Sequence, residues 1–166
     1  MTRPLNQHEL DRLLYFLRGD KQALLLCLDL VWSGHFWDDL IDQDQERDTD
    51  DTRTAILKCF RDIPMNPFFQ KWQPYLQPFL VSAAQQYVDS TKLELGDQDQ
   101  RLMAFIIRNA SLSFIHHCIY ITGVAAEEPA WIDQVAQEFW TLFGLHDRLD
   151  YFMYEEGPEP LVAVGD

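Results

Sequence analysis

Leu10, Leu13, Leu14 and Leu17 recur at i, i+3, i+4 and i+7, which lays one apolar face along a helix. Asn6, with Glu9 three residues on, has the form of a capping box. Leu5 and Leu10 are placed to staple it, and Gly19 marks the end of the helix. Asp20 caps a second helix that passes through Leu24-Leu25-Leu26, Trp32 and Trp37 to about Asp42. It is apolar around most of its circumference, which predicts a central, buried helix. The polar run Gln43 to Asp51 reads as solvated. A shorter helix follows, with Ile56, Cys59, Phe60 and Ile63 as its apolar positions.

Between Pro64 and Pro78 four prolines stand among aromatics, so the pattern predicts short helical pieces and turns. Asn66-Pro67 and Gln77-Pro78 each read as a cap followed by Pro at the first helical position. After Pro78, Leu80, Ala83, Ala84 and Tyr87 share a face, and Gly96 closes the section. A long helix is predicted from about Asp97 to Thr122, stopped by Gly123. A last one runs from near Glu128-Pro129 to about Tyr154, with Ile132, Val135, Phe139 and Phe143 at helical spacing. No segment alternates with the period of a strand and no repeat is present. The expected architecture is all-α: one bundle of six to seven helices over residues 1–155, with a short tail at 156–166 after Gly157-Pro158-Glu159-Pro160.

Composition agrees with a folded domain. The 166 residues are 47% hydrophobic, enough for one core. The formal net charge of −14 sets 27 acids against 13 Lys and Arg, a balance that repels phosphate backbones and excludes nucleic acid as an expected partner. Cys27, Cys59 and Cys118 sit among apolar residues without ligand spacing, and read as buried, reduced thiols of a cytoplasmic protein. Met1-Thr2-Arg3-Pro4 does not read as a signal peptide. The most apolar stretch, Leu102 to Ile121, is interrupted by Arg108, Asn109, His116 and His117, so no membrane span is expected. Trp32, Trp37, Trp72, Trp131 and Trp140 read as core or interface.

The strongest chemical signal is Asp38-Asp39-Leu40-Ile41-Asp42. Asp38 and Asp42 are four apart and Asp39 and Asp42 three apart, so a helix gathers the three carboxylates on one flank, with His35 a turn earlier. Their mutual repulsion calls for a cation or a proton, and oxygen donors of this kind suit Mg²⁺. The competing reading is a helix end running into an exposed acidic loop, since Asp44, Glu46, Asp48, Asp50 and Asp51 follow at once.

The segment Phe36-Trp37-Asp38-Asp39-Leu40-Ile41-Asp42 resembles the DDxxD motif of trans-prenyltransferases and class I terpenoid synthases, as a short or reduced member. In that superfamily the motif ends a core helix and holds Mg²⁺ ions that grip a substrate diphosphate. Arg47 falls at the first position of the family's following Arg pair, which makes it the expected diphosphate contact. Asp48 stands where the second Arg belongs. The segment Phe143 to Tyr151 is similar to the second metal motif, with Asp147 and Asp150 as its acids, Gly144 in place of Gln, and Arg148 breaking the doubled acid. Asn109, Ser113 and His117 have the spacing of the terpene cyclase Asn-Ser-Glu triad, with His117 in place of the Glu. Lys21, Arg53, Arg101 and Arg108 are the remaining candidate cations for a diphosphate.

The resemblance thus implies Mg²⁺-dependent binding of a prenyl diphosphate, with prenyl transferase or terpenoid synthase chemistry if the protein is an enzyme. Two other readings compete. One is a non-catalytic acidic helical interaction protein, whose aromatic faces serve a partner or a homo-oligomer. The other is an HD-type metal-dependent phosphohydrolase using His116 or His117 with His146 and Asp147, and Asp150 or Asp166 as last ligand.

Overall fold

The computed structural model describes residues 5–42 and 46–143, without the side chains of Asp42 and Ala110. All regular structure among them is helical: α1 (Gln7–Phe16), α2 (Lys21–Asp42), α3 (Thr49–Leu57), a π-helical turn (Lys58–Asp62), α4 (Ile63–Met65), α5 (Pro67–Leu93), α6 (Gln98–Arg108), α7 (Ala110–Ala125) and α8 (Trp131–Phe143). With the continuous stretch Thr49–Met65 taken as one, the described residues form seven helical segments, and no strand occurs among them.

The capping box of α1 forms as its spacing predicts: Asn6 Oδ1 accepts from the Glu9 N–H, and Glu9 returns a bond to the Asn6 N–H. The end differs. Arg18, not Gly19, is the first residue with positive φ, at 55°, and Gly19 follows at 77°. The Gly19 N–H reaches back to the Leu14 carbonyl and the Arg18 N–H to Tyr15, the two bonds of a Schellman end. Asp20 then caps α2 by accepting from the N–H groups of Gln22 and Ala23.

Helix α2 runs over the expected span and touches α1, α3, α4, α5, α7 and the π turn, so it is central. It is not buried throughout. Ala23, Leu26, Cys27 and Phe36 are in the interior, whereas Trp37, Leu40 and Ile41 are exposed. The acidic run is also shorter than expected, because Asp48 caps α3 and Asp50 and Asp51 lie in its first turn, where they complement the helix dipole. Ala55 and Ile63 face inward on this stretch; Ile56 and Phe60 point to solvent. The π turn, closed by the Ile63 N–H on the Lys58 carbonyl, shifts the register between them.

Asn66 caps α5 as predicted, accepting from Phe68 and Phe69 while donating to the Gln22 carbonyl. The short pieces expected up to Pro78 do not form. Instead α5 runs unbroken from Pro67 to Leu93 with Pro74 and Pro78 inside it, so Gln77-Pro78 is not a cap. The two prolines are four apart on the exposed side, where water can satisfy the carbonyls they leave unpaired. Conversely, the single helix expected over 97–122 is two. Asn109 leaves helical geometry, its side chain donates to the Phe105 carbonyl at 2.6 Å, and α6 and α7 meet there at a bend of 41°. No single helix among the described residues is long and apolar enough to cross a membrane.

Gly123 does not stop α7, which continues to Ala125; a Cβ on Gly123 would lie 3.0 Å from that of Trp131 and 3.1 Å from the Glu128 carbonyl oxygen. The glycine permits the close approach of α8. Trp131, Val135, Phe139 and Phe143 line the buried face of α8 and share one core with Leu13 and Phe16 of α1, Leu17 just after it, Leu112, Ile115, Cys118 and Ile119 of α7, and Leu76 of α5. The expected continuation of the last helix to Tyr154 lies outside the described residues. Cys27 and Cys118 are buried free thiols as expected, while Cys59 is half-exposed at the π turn. Burial beside Cys27 pushes the Cys118 thiol well above its ordinary value.

Candidate functional site at the end of α2

Asp38 and Asp39 occupy the last turns of α2, and each has its partner on a different neighbouring segment. Asp38 is half-buried and accepts a hydrogen bond from the Tyr87 hydroxyl on α5 at 2.8 Å. Asp39 turns toward the segment leading into α3, where it is ion-paired with Arg47. The same guanidinium reaches Asp51 at 3.5 Å and lies 6.0 Å from the centre of the Phe36 ring. The side chains of Asp39 and Arg47 are 15% and 21% exposed, so this pair is shielded compared with an ordinary surface ion pair. Arg47 Nε is buried without a hydrogen-bond partner. The Asp42 side chain lies outside the described residues, and half-buried His35 sits a turn before the pair.

A second layer holds Tyr87. Arg108 of α6 places its guanidinium 5.4 Å from the Tyr87 ring centre, pairs with Glu94 at 2.6 Å, and reaches the Ser90 hydroxyl at 3.3 Å. On the other flank of α2, Lys58 of the π turn pairs with Asp29 and lies 5.5 Å from the Trp32 ring, which stacks on Phe36. This second pair joins the π turn to α2 at a point ten residues before Asp39.

Asp39 and Asp51 therefore share the cation Arg47 among the described residues, while Asp38 has the phenol of Tyr87 for its partner. Among the described residues, no three His, Cys, Asp or Glu side chains gather as a metal cage. What the described atoms offer is a pair of carboxylates with surplus negative charge, and these hard oxygen donors fit Mg²⁺ better than a soft metal.

The other sequence-derived candidates fall elsewhere. Asp147, Asp150, His146 and Asp166 lie outside the described residues. Asn109 spends its side-chain amide on Phe105, Ser113 is exposed, and His117 stacks on Phe79 with ring centres 4.2 Å apart. Phe79 and Tyr87 are eight residues apart on α5, about 12 Å along its axis. His117 thus sits two turns from the residue that holds Asp38. His116 lies against Phe139 and Trp140, with ring centres 5.5 and 5.2 Å away. Both histidines have an interior Nε2 without a hydrogen-bond partner, and burial lowers both from the usual imidazole value, His116 adding to the effect on His117. Lys21 is at the far end of α2 and Arg53 is exposed on α3.

Asp51 and Tyr87 join the expected residues at this site, and one of them escapes a reading of the local sequence. Asp51 is legible as a partner of Arg47 by its i, i+4 spacing. Tyr87 is not, because it lies 49 residues from Asp38 and only the packing of α5 on α2 joins them. No protein-family model matches the chain, and no curated protein and no solved structure matches it either.

Proposed function

We propose that the end of α2 binds Mg²⁺ and, through it, the diphosphate of an isoprenoid-type ligand, in a reduced terpenoid-synthase-like bundle. The observation that supports this reading is the pairing at a half-buried place: one guanidinium, Arg47, is divided between Asp39 and Asp51, and the hydrogen bond to Asp38 comes from the Tyr87 phenol. Excess negative charge in a partly desolvated setting is costly, and a divalent cation offsets it. Asp38 and Asp39, with Asp42 by sequence, are the residues that hold the ion. Bound there, Mg²⁺ supplies Lewis-acid neutralisation of a diphosphate. Arg47 has five N–H donors, of which Nε is unpaired here, and it is the cationic partner offered to the phosphate oxygens.

The test is a melting experiment with Mg²⁺ alone, pyrophosphate alone, the two together, and Mg²⁺ with a prenyl diphosphate. A ligand at a hundred times its dissociation constant stabilises by about 2.7 kcal/mol. For a chain of this size that is a rise of roughly 5–10 °C. The expected rise needs Mg²⁺ and is lost in Asp38→Ala/Asp42→Ala. No Mg²⁺-dependent rise, or an equal one in the double variant, overturns the reading.

One observation favours a second reading, the acidic helical interaction protein: large apolar side chains, Trp37, Leu40 and Ile41, stand exposed on the most central helix. For the phosphohydrolase reading, the described part of the site offers only two histidines packed among aromatic rings.

A further inference from the structure

The face of α2 that builds the core repeats with a seven-residue period. Ala23, Leu30 and Trp37 form one row, Leu26, Ser33 and Leu40 a second, and Cys27, Gly34 and Ile41 a third. Three adjacent rows of this kind make one stripe that another helix can cover. The first repeat is covered, with Ala23, Leu26 and Cys27 fully buried; in the second, Leu30 packs on the core and Ser33 is 5% exposed, while Gly34 faces open space. In the third repeat the same stripe continues in register and is uncovered, with Trp37 at 42%, Leu40 at 50% and Ile41 at 53% exposure. A scattered exposed Leu needs no explanation. An in-register continuation of a core stripe into solvent does, since its geometry already suits a helix packed along it.

Charge decides what covers it. Asp38 and Asp39 stand on the same two turns, and exposed Glu46, Asp48 and Asp50 follow on the segment that Arg47 joins to α2, with Arg47 and Arg53 as the cations of that stretch. A second copy of the chain would bring an identical acidic rim, and a further net charge of −14, against this one. A helix with an apolar face and Lys or Arg along its borders meets both features at once. We propose that the third repeat of the α2 stripe, Trp37, Leu40 and Ile41, is the docking site for a cationic amphipathic helix of a partner protein. The proposal gives the interaction reading a surface and a partner chemistry, and it does not depend on the diphosphate reading.

The test uses a fluorescein-labelled peptide of Leu and Lys, about 18 residues or five helical turns long, with Leu at helical spacing. Its controls are a peptide of the same composition in scrambled order and one with Glu in place of Lys. The full chain is titrated into each while anisotropy is read. The amphipathic Leu/Lys peptide is expected to bind best, and to weaken steadily as NaCl is raised. Trp37→Ser/Leu40→Ser/Ile41→Ser should bind it at least about tenfold more weakly, or 1.4 kcal/mol. The same variant should still unfold in one cooperative transition, with a modestly lowered melting temperature, because about half of each side chain is exposed. Equal binding by the variant, or equal binding of the scrambled peptide, overturns the proposal. Light scattering separates the remaining outcomes. A dimer that the triple variant dissolves makes the stripe a self-association surface, which overturns the cationic partner and keeps the interaction reading. A monomer that binds no peptide overturns both.

Discussion

His116 and His117 show how a residue's meaning depends on what packs around it. In the sequence they are adjacent imidazoles on an apolar helix, open to metal, proton or core roles. In the fold His116 lies between Phe139 and Trp140 of α8, and His117 between Phe79 of α5 and Tyr120. Desolvation disfavours the imidazolium there, so both titrate below the usual value. A folded value below the unfolded one means the unfolded chain binds more protons as the medium turns acid. The contribution to stability is complete above the unfolded value of about 6.5 and is lost as pH falls through the lowered folded value. The urea midpoint should therefore decline as pH drops below neutrality, and decline less in His116→Gln/His117→Gln. An identical pH profile in the variant would refute this account. Asp38 teaches the same lesson in reverse: its place in a carboxylate motif is legible in the sequence, but its phenol partner, Tyr87, is not.

At the scale of elements, local rules predict starts better than interiors. Asn6, Asp20, Asn66 and Asp97 all cap helices through their own side chains, because a cap is a contact among residues two or three apart. Pro74 and Pro78 break the rule that proline ends a helix, since both sit on the solvent side of a helix that tertiary contacts hold on its other face. An interior proline costs about 3 kcal/mol in a helix, while its stiffening of the unfolded chain returns roughly 0.4–1 kcal/mol. Pro74→Ala and Pro78→Ala should thus each stabilise the protein, by about 2–2.6 kcal/mol in urea unfolding. A loss of stability would mean that the prolines shape α5 in a way the rest of the bundle requires. Asn109 is the opposite case, a residue without proline's constraints at which a long apolar pattern bends.

The whole molecule is closed by contacts between its first and last described helices. Trp131 Nε1 donates to the Phe16 carbonyl at 2.8 Å, 115 residues away in sequence. Arg18 covers the Trp131 ring at 4.8 Å while forming two hydrogen bonds of 2.8 Å to Glu128. Gly123 leaves room for this arrangement. Trp131→Phe keeps an aromatic ring but strands a buried carbonyl, a loss of about 1–3 kcal/mol. The check is the urea midpoint at neutral pH, and an unchanged midpoint would show that the Phe16 carbonyl finds another partner.

Composition, helical spacing and cap chemistry determined an all-helical chain, the starts of α1 and α2, and Asp38 and Asp39 as the densest acidic point on the central helix. These are local properties, set by residues within about two turns of one another. Only the tertiary structure decided that α5 runs through two prolines, that α6 and α7 part at Asn109, and that Arg47 is shared between Asp39 and Asp51 while Tyr87 holds Asp38. It also decided where the α2 stripe leaves the core, at Trp37, Leu40 and Ile41. For α5, for Tyr87 on Asp38 and for the α2 stripe the reason is the same: each depends on which helix packs beside which, a choice made across tens of residues by burial.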